Sequence, residues 1–279
     1  MHSLEALDWR LEQADKHLST LNDERIAFLD RLDKKDRRVI GEFERDTSEY
    51  VFRVNCDPPD PRLGVIVSEF CHHLRATLDN LLWQLVLLRG GSPTRLSQFP
   101  IYERRERYES SQWMLRGVSA DDRALIEAYQ PFQHGKSAAD TYMARLAWLN
   151  NMDKHRFVHI GCARPSLSAI SVSYGAEGEY AGHFPWYARF VKDVRKILGV
   201  TYVSPATSQD RTELMRVLIE PCGPDPEMKM EGDEPIEISV SDANHAVTVP
   251  DLAGIRNIVR HVVEDFRPVF NIARRRTEF

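Results

Sequence analysis

Hydrophobic positions change period part-way along this chain, and the change divides it. From Leu4 the apolar residues fall at 4, 7, 11, 14, 18 and 21 and resume at 28 and 32, the three-four spacing of a helix with a heptad seam. Arg25 stands where the seam fails. A helix from about Ser3 to Asp33 is roughly 45 Å long at ~1.5 Å per residue. That is too long for a small domain to cover alone, so it packs in an antiparallel bundle or against a second copy of the chain. SEYVFRVN at 48–55 is rich in β-formers, and the three prolines of DPPDP at 57–61 close it. Pro61 suits the first turn of a new helix, which runs to about Arg89 and stops at Gly90-Gly91. Phe70, Cys71, Leu74, Leu78, Leu81, Leu82, Leu85 and Leu88 form its apolar arc.

A loop then holds SQFPIYE at 97–103. Ser119 reads as the N-cap of ADDRALIEAYQ, with Asp121 and Asp122 set against the helix dipole. A further helix covers about 138–154. Beyond it the period falls to two. RFVHIGCA (156–163), LSAISVSYG (167–175), TELMRVLIEP (212–221) and EPIEISVSD (234–242) read as an antiparallel sheet. The stretch at 185–198 places Arg189, Lys192, Arg195 and Lys196 opposite Phe190, Val194, Ile197 and Leu198, and predicts a basic amphipathic helix ended by Gly199. PCGPDPEMKMEGDEP at 221–235 reads as a loop. TVPDLAGIRNIVRHVVEDFRPVF gives a closing helix, capped by Thr248 and disturbed near its end by Pro268. The expectation is an α+β protein in three parts: a mainly helical bundle over 1–155, an antiparallel sheet region with one helix over 156–245, and a closing helix over 246–279 that returns to the bundle.

Composition narrows the function classes. The 279 residues are 42% hydrophobic and 28% charged, an ordinary globular balance, and the net charge of −5 excludes a chain-wide basic footprint for nucleic acid. Any such contact must use a local patch; the 185–198 stretch and the tail ARRRTEF are locally basic. Cys56, Cys71, Cys162 and Cys222 form no CxxC and no zinc spacing, and read as small buried hydrophobes in a reducing cytosol. The first fifteen residues lack the apolar core of a signal peptide, and the run LDNLLWQLVLL is about half a membrane span. A bacterial or phage cytoplasm is expected, with no membrane. No GxGxxG, P-loop, GxSxG or kinase set appears, so no cofactor is implied. HExxH and DxDxDG are absent too, and no metal site is assigned.

Three polar clusters remain. In LNNMDKHRF at 149–157, Asp153 and Arg156 continue the core stripe of Tyr142, Leu146 and Leu149. Burying them unpaired is costly. Either Lys154, His155 and Arg156 serve the negative free carbonyls of the helix C-terminus, or the group lines a polar pocket at the helix–strand junction. In that pocket Asp153 orients His155 or Arg156, and Asn150 or Asn151 binds a ligand. In HHLRATLDN at 72–80, His72, Arg75 and Asp79 share a face, and Arg75 to Asp79 is an i,i+4 ion pair. If the two clusters meet, they can hold an anion or a metal, or move protons. The third cluster, RNIVRH at 256–261, lies in the closing helix. A helical wheel puts Arg256 at the rim of the apolar face and His261 nearly opposite, so both serve together only at an interface.

RNIVRH resembles the Rx4-6H motif of the HEPN superfamily, helical proteins that include RNA-cleaving toxins and phage-defence nucleases. The resemblance implies Arg256 for phosphate charge, His261 for proton transfer, Asn257 as polar companion, no metal, and two copies meeting across a homodimer. RLEQADKH at 10–17 matches the same spacing without the polar second residue. A second likeness covers about 70–156. LRATLDNLLWQL, FPI and NNMDKHR are similar, in that order, to LRxxLDxLxWxL, FPI and NxxDKHR of an uncharacterised group of bacterial proteins. It implies that Arg75, Asp79 and the DKHR group belong together, and no activity. In some members a histidine stands where Asn80 does.

Two readings compete with the HEPN-like one. One is a non-enzymatic ligand- or protein-binding module in which the Arg/Asp/His cluster is fold glue or an anion pocket. The other is a metal-dependent hydrolase.

Overall fold

The computed structural model describes residues 4–31, 39–54, 59–155, 160–163, 170–174, 186–202, 213–232, 237–241 and 246–277. The fold is α+β, and the chain forms two compact units. The helical unit takes α1 (Glu5–Arg31) as far as Asn22, then α2 (Arg62–Leu88), α3 (Arg105–Ser110), α4 (Ala120–Ala128), α5 (Tyr142–His155) and α6 (Val249–Thr277). The sheet unit takes the end of α1 and, among the described residues, ten strands.

The helices form where the apolar stripes predict. Leu4, Leu7, Leu11, Ala14 and Leu21 of the α1 stripe are buried, and so are Val67, Phe70, Leu74, Leu78, Leu81, Leu82 and Leu85 of α2. α2, α5 and α6 pack pairwise, with Leu146 and Leu149 of α5 and Ile255, Val259, Val262, Val263 and Phe266 of α6 completing the core. Gly90, at φ 73°, ends α2. The Gly91 N–H reaches back to the Val86 carbonyl at 2.9 Å, the six-to-one bond that closes a helix in a left-handed turn. Ser119 caps α4 as its sequence predicts, its hydroxyl accepting from the Asp122 N–H at 3.2 Å. α5 starts at Tyr142, later than expected, because 3-10 turns occupy Pro131–Asp140. α6 runs through Pro268 to Thr277.

In the sheet unit, β1 (Val39–Glu44) and β2 (Glu49–Val54) form a hairpin. The other strands are β3 (Ile160–Ala163), β4 (Ile170–Tyr174), β5 (Trp186–Lys192), β6 (Val194–Tyr202), β7 (Glu213–Pro221), β8 (Glu227–Gly232), β9 (Glu237–Ser241) and β10 (Ala246–Thr248). They make three sheets, ordered β1-β2-β7-β6, β10-β9-β3 and β4-β5-β8. In the first, every pairing is antiparallel. One face buries Tyr50, Phe52, Met215, Val217 and Ile219, and Gly41 lacks the Cβ that would strike the Tyr50 and Phe52 rings. The other face carries Arg53 and Arg216 among Glu42, Glu44, Glu49 and Glu213, with guanidinium–carboxylate distances of 2.6–3.1 Å to the nearest partners.

Four expectations are corrected. The stretch at 185–198 is not a helix but the strands β5 and β6, separated by Asp193 at φ 56°. The expected loop at 221–235 contains β8. β4 pairs with β5 in parallel, so the strands are not all antiparallel. β1 and β2, from the N-terminal half, join the C-terminal β7.

Candidate functional site

The conspicuous pair on α2 is turned toward the protein's own backbone. Arg75 Nε and Nη2 donate to the two Asp79 carboxylate oxygens at 3.1 and 2.6 Å. Arg75 Nη2 also donates to the Phe99 carbonyl at 2.7 Å, while Asp79 Oδ1 accepts from the Phe99 N–H at 2.8 Å. Phe99 is fully buried and lies outside any helix or sheet, so its peptide groups need side-chain partners. The next peptides are met by Gln130, also fully buried. Its Nε2 donates to the Pro100 carbonyl at 2.8 Å, and its Oε1 accepts from the Tyr102 N–H at 3.1 Å. Sequence reasoning missed Gln130. Its one signal is a lone glutamine between the end of α4 and Pro131.

The second half of that expected cluster is only partly described. Asn150 is buried and Asn151 exposed at the end of α5. Asp153 and His155 lie on the α5 backbone, but their side chains, and Arg156 altogether, lie outside the described residues. The expected meeting of this group with Arg75 and Asp79 lies outside them too.

His72 faces solvent beside a different group. Its ring stands edge-on to His73 at 6.1 Å, and His73 stacks on His17 of α1 at 5.5 Å. His17 Nδ1 lies 3.6 Å from the Glu69 carboxylate. The His73 Nδ1 atom is buried without a hydrogen-bond partner. Burial, then the positive fields of His17, Arg10 and His72, push the His73 imidazole below the ordinary histidine range; Glu69 opposes them. Arg10 and His17 are the ends of the second Rx4-6H spacing, and here they join two histidines from α2.

The third cluster lies where α6 meets α1. Arg256 makes a bidentate pair with Asp15: its Nε meets Oδ1, and its Nη2 donates to Oδ2 at 2.7 Å. Arg256 Nη1 also donates to the side-chain oxygen of Asn257 at 3.0 Å. Arg260 shares Asp15 at 2.9 Å, and Arg267 reaches Asp8 at 2.8 Å. α1 thus lies along both α2 and α6. His261 and Asn257 are exposed and one helical turn apart. Arg256 and His261 are about 140° apart around the axis, so one chain does not aim them at the same point. A turn beyond His261, Asp265 accepts a 2.5 Å hydrogen bond from the Tyr129 hydroxyl, and burial, then that bond, raise the Tyr129 phenol.

Among the described residues, no three His, Cys, Asp or Glu side chains are grouped to hold a metal ion, and no helix is long and apolar enough to cross a membrane. No family model, no curated protein and no solved structure matches this chain.

Proposed function

We propose that the chain binds and cuts RNA without a metal, through the polar face of α6, in the manner of the HEPN nucleases its RNIVRH segment resembles. The observation that carries this reading is the fixed guanidinium of Arg256. Asp15 grips two of its nitrogens and leaves the third on Asn257, which shares an exposed stripe with His261. A positioned arginine stabilises the charge that builds on a phosphate in flight. An exposed imidazole moves protons near neutral pH. In the proposed step the RNA 2′-hydroxyl loses its proton to one imidazole and attacks the adjacent phosphorus. The 5′-oxygen leaves, taking its proton from water, and a 2′,3′-cyclic phosphate remains. The divergence of Arg256 from His261 calls for two chains facing one another across α6, the arginine from one and the imidazole from the other. The reading places a homodimer in a bacterial cytoplasm, with phage defence as its setting, and the exposed free thiol of Cys222 suits a reducing compartment.

The test is cleavage of a mixed RNA pool in EDTA by wild type, Arg256→Ala, His261→Ala and Arg75→Ala, each checked for folding by circular dichroism. Cleavage by wild type that falls at least about a hundredfold in His261→Ala, and also falls in Arg256→Ala, supports the reading. Folded wild type that cuts nothing opposes it.

A second reading is favoured by the hydrogen bonds of Arg75 and Asp79, which are directed at Phe99 rather than outward. In it the central cluster is fold glue, and the chain is a non-enzymatic ligand- or protein-binding module.

A further inference from the structure

The histidines between α1 and α2 have no part in the proposed chemistry. His17 of α1 and His73 of α2 stack at 5.5 Å, and His72 closes the group at 6.1 Å. The charged groups acting on His73 are Arg10 on α1 and Glu69 on α2, and Glu69 also lies beside His17. The set can carry up to four positive charges against one carboxylate. Glu69 is also largely exposed, its side chain at 57%, so solvent weakens its compensation. A protonated imidazole carries N–H on both nitrogens. For His73 the second N–H would sit on the buried Nδ1, which has no acceptor. The closed arrangement therefore tolerates a neutral His73 and opposes a charged one.

We propose that this histidine stack is a proton-sensitive latch that holds α1 against α2 near neutral pH and loosens it as the pH falls. The consequence reaches α6 through α1 itself. Asp15, two residues from His17, neutralises Arg256 and Arg260, and Asp8 neutralises Arg267. Loosening α1 frees Arg260 and Arg267 for an anionic partner and removes the seat that Asp15 gives Arg256. The buried Leu7, Leu11 and Leu21 keep the helix from leaving altogether. The sign follows from the depressed folded-state affinity of His73 for a proton. The unfolded or opened state binds the proton more tightly, so the latch's contribution is complete above about pH 6.5 and is lost as the pH falls below it. The latch does not depend on RNA cleavage and stands or falls separately.

The experiment is amide hydrogen exchange of the full chain at pH 7.5 and 5.5, corrected for the intrinsic pH dependence of exchange. The chains compared are wild type, His73→Phe, His17→Phe and the control His134→Gln. One imidazole that must be neutral in the closed state and has an ordinary affinity when open raises opening up to about tenfold at pH 5.5. Wild type and His134→Gln should show that acceleration in α1. His73→Phe should not, and His17→Phe should show it reduced; if His73→Phe fails to fold, His17→Phe decides. Equal protection of wild-type α1 at both pH values overturns the proposal. So does acceleration that survives in the folded histidine variants.

Discussion

At the scale of single residues, the strongest sequence signal has an internal partner. The spacing of Arg75 and Asp79 announces an i,i+4 pair, and that much is legible. What the pair holds is not, because the Phe99 amide and carbonyl are backbone groups twenty or more residues away and leave no mark in the sequence. Gln130 is hidden for the same reason. Asp79→Ala should lower stability by about 2–3 kcal/mol, since it strands the buried Phe99 N–H and the Arg75 guanidinium together. Asp79→Asn, which keeps an acceptor, should lose less. Urea unfolding at unchanged m-value measures both; equal losses would mean that the acceptor at Phe99 is unimportant. The histidines show the converse. HHLR reads as a wet face, yet His73 is half-buried because the stacking partner, His17, comes from another helix.

At the scale of elements, the long helices are legible because an apolar stripe sustained over seven or eight turns fits a helix and no strand. Short segments are not. WYARFVKDVRKILG places apolar residues at both helical and strand spacings, and its β-branched and aromatic residues fit a sheet. The deciding feature is Asp193. Its left-handed backbone turns the chain, its carbonyl accepts from the Cys222 N–H at 2.8 Å, and its Oδ2 accepts from the Asp225 N–H at 3.2 Å. A β-branched residue is strained in that conformation and glycine is not. Asp193→Val should therefore lower stability by about 2 kcal/mol. Asp193→Gly, losing only an exposed hydrogen bond, should stay within about 1 kcal/mol of wild type. Thermal melts of the two variants give the comparison, and a Val variant as stable as the Gly variant would argue against the turn.

At the scale of the whole molecule, the class and the return of the last helix to the bundle follow from the order of periods along the chain. The assembly of the sheet does not. β2 meets β7 across more than 150 residues, and such a partnership depends on which edges remain free after the local hairpins form. The proposed function lives at this scale as well. Within one chain Arg256 is fixed on Asp15 and His261 faces elsewhere, so a site using both needs two chains. The most direct measurement mixes two inactive proteins. Arg256→Ala and His261→Ala, each alone, should leave RNA uncut in EDTA. Mixed so that their subunits exchange, half the dimers carry one site with a native arginine from one chain and a native histidine from the other. The mixture should then recover up to about a quarter of wild-type cleavage. A mixture as inactive as its components, while wild type cuts, would contradict a site shared across α6, and wild type that leaves the RNA intact would contradict RNA cleavage itself.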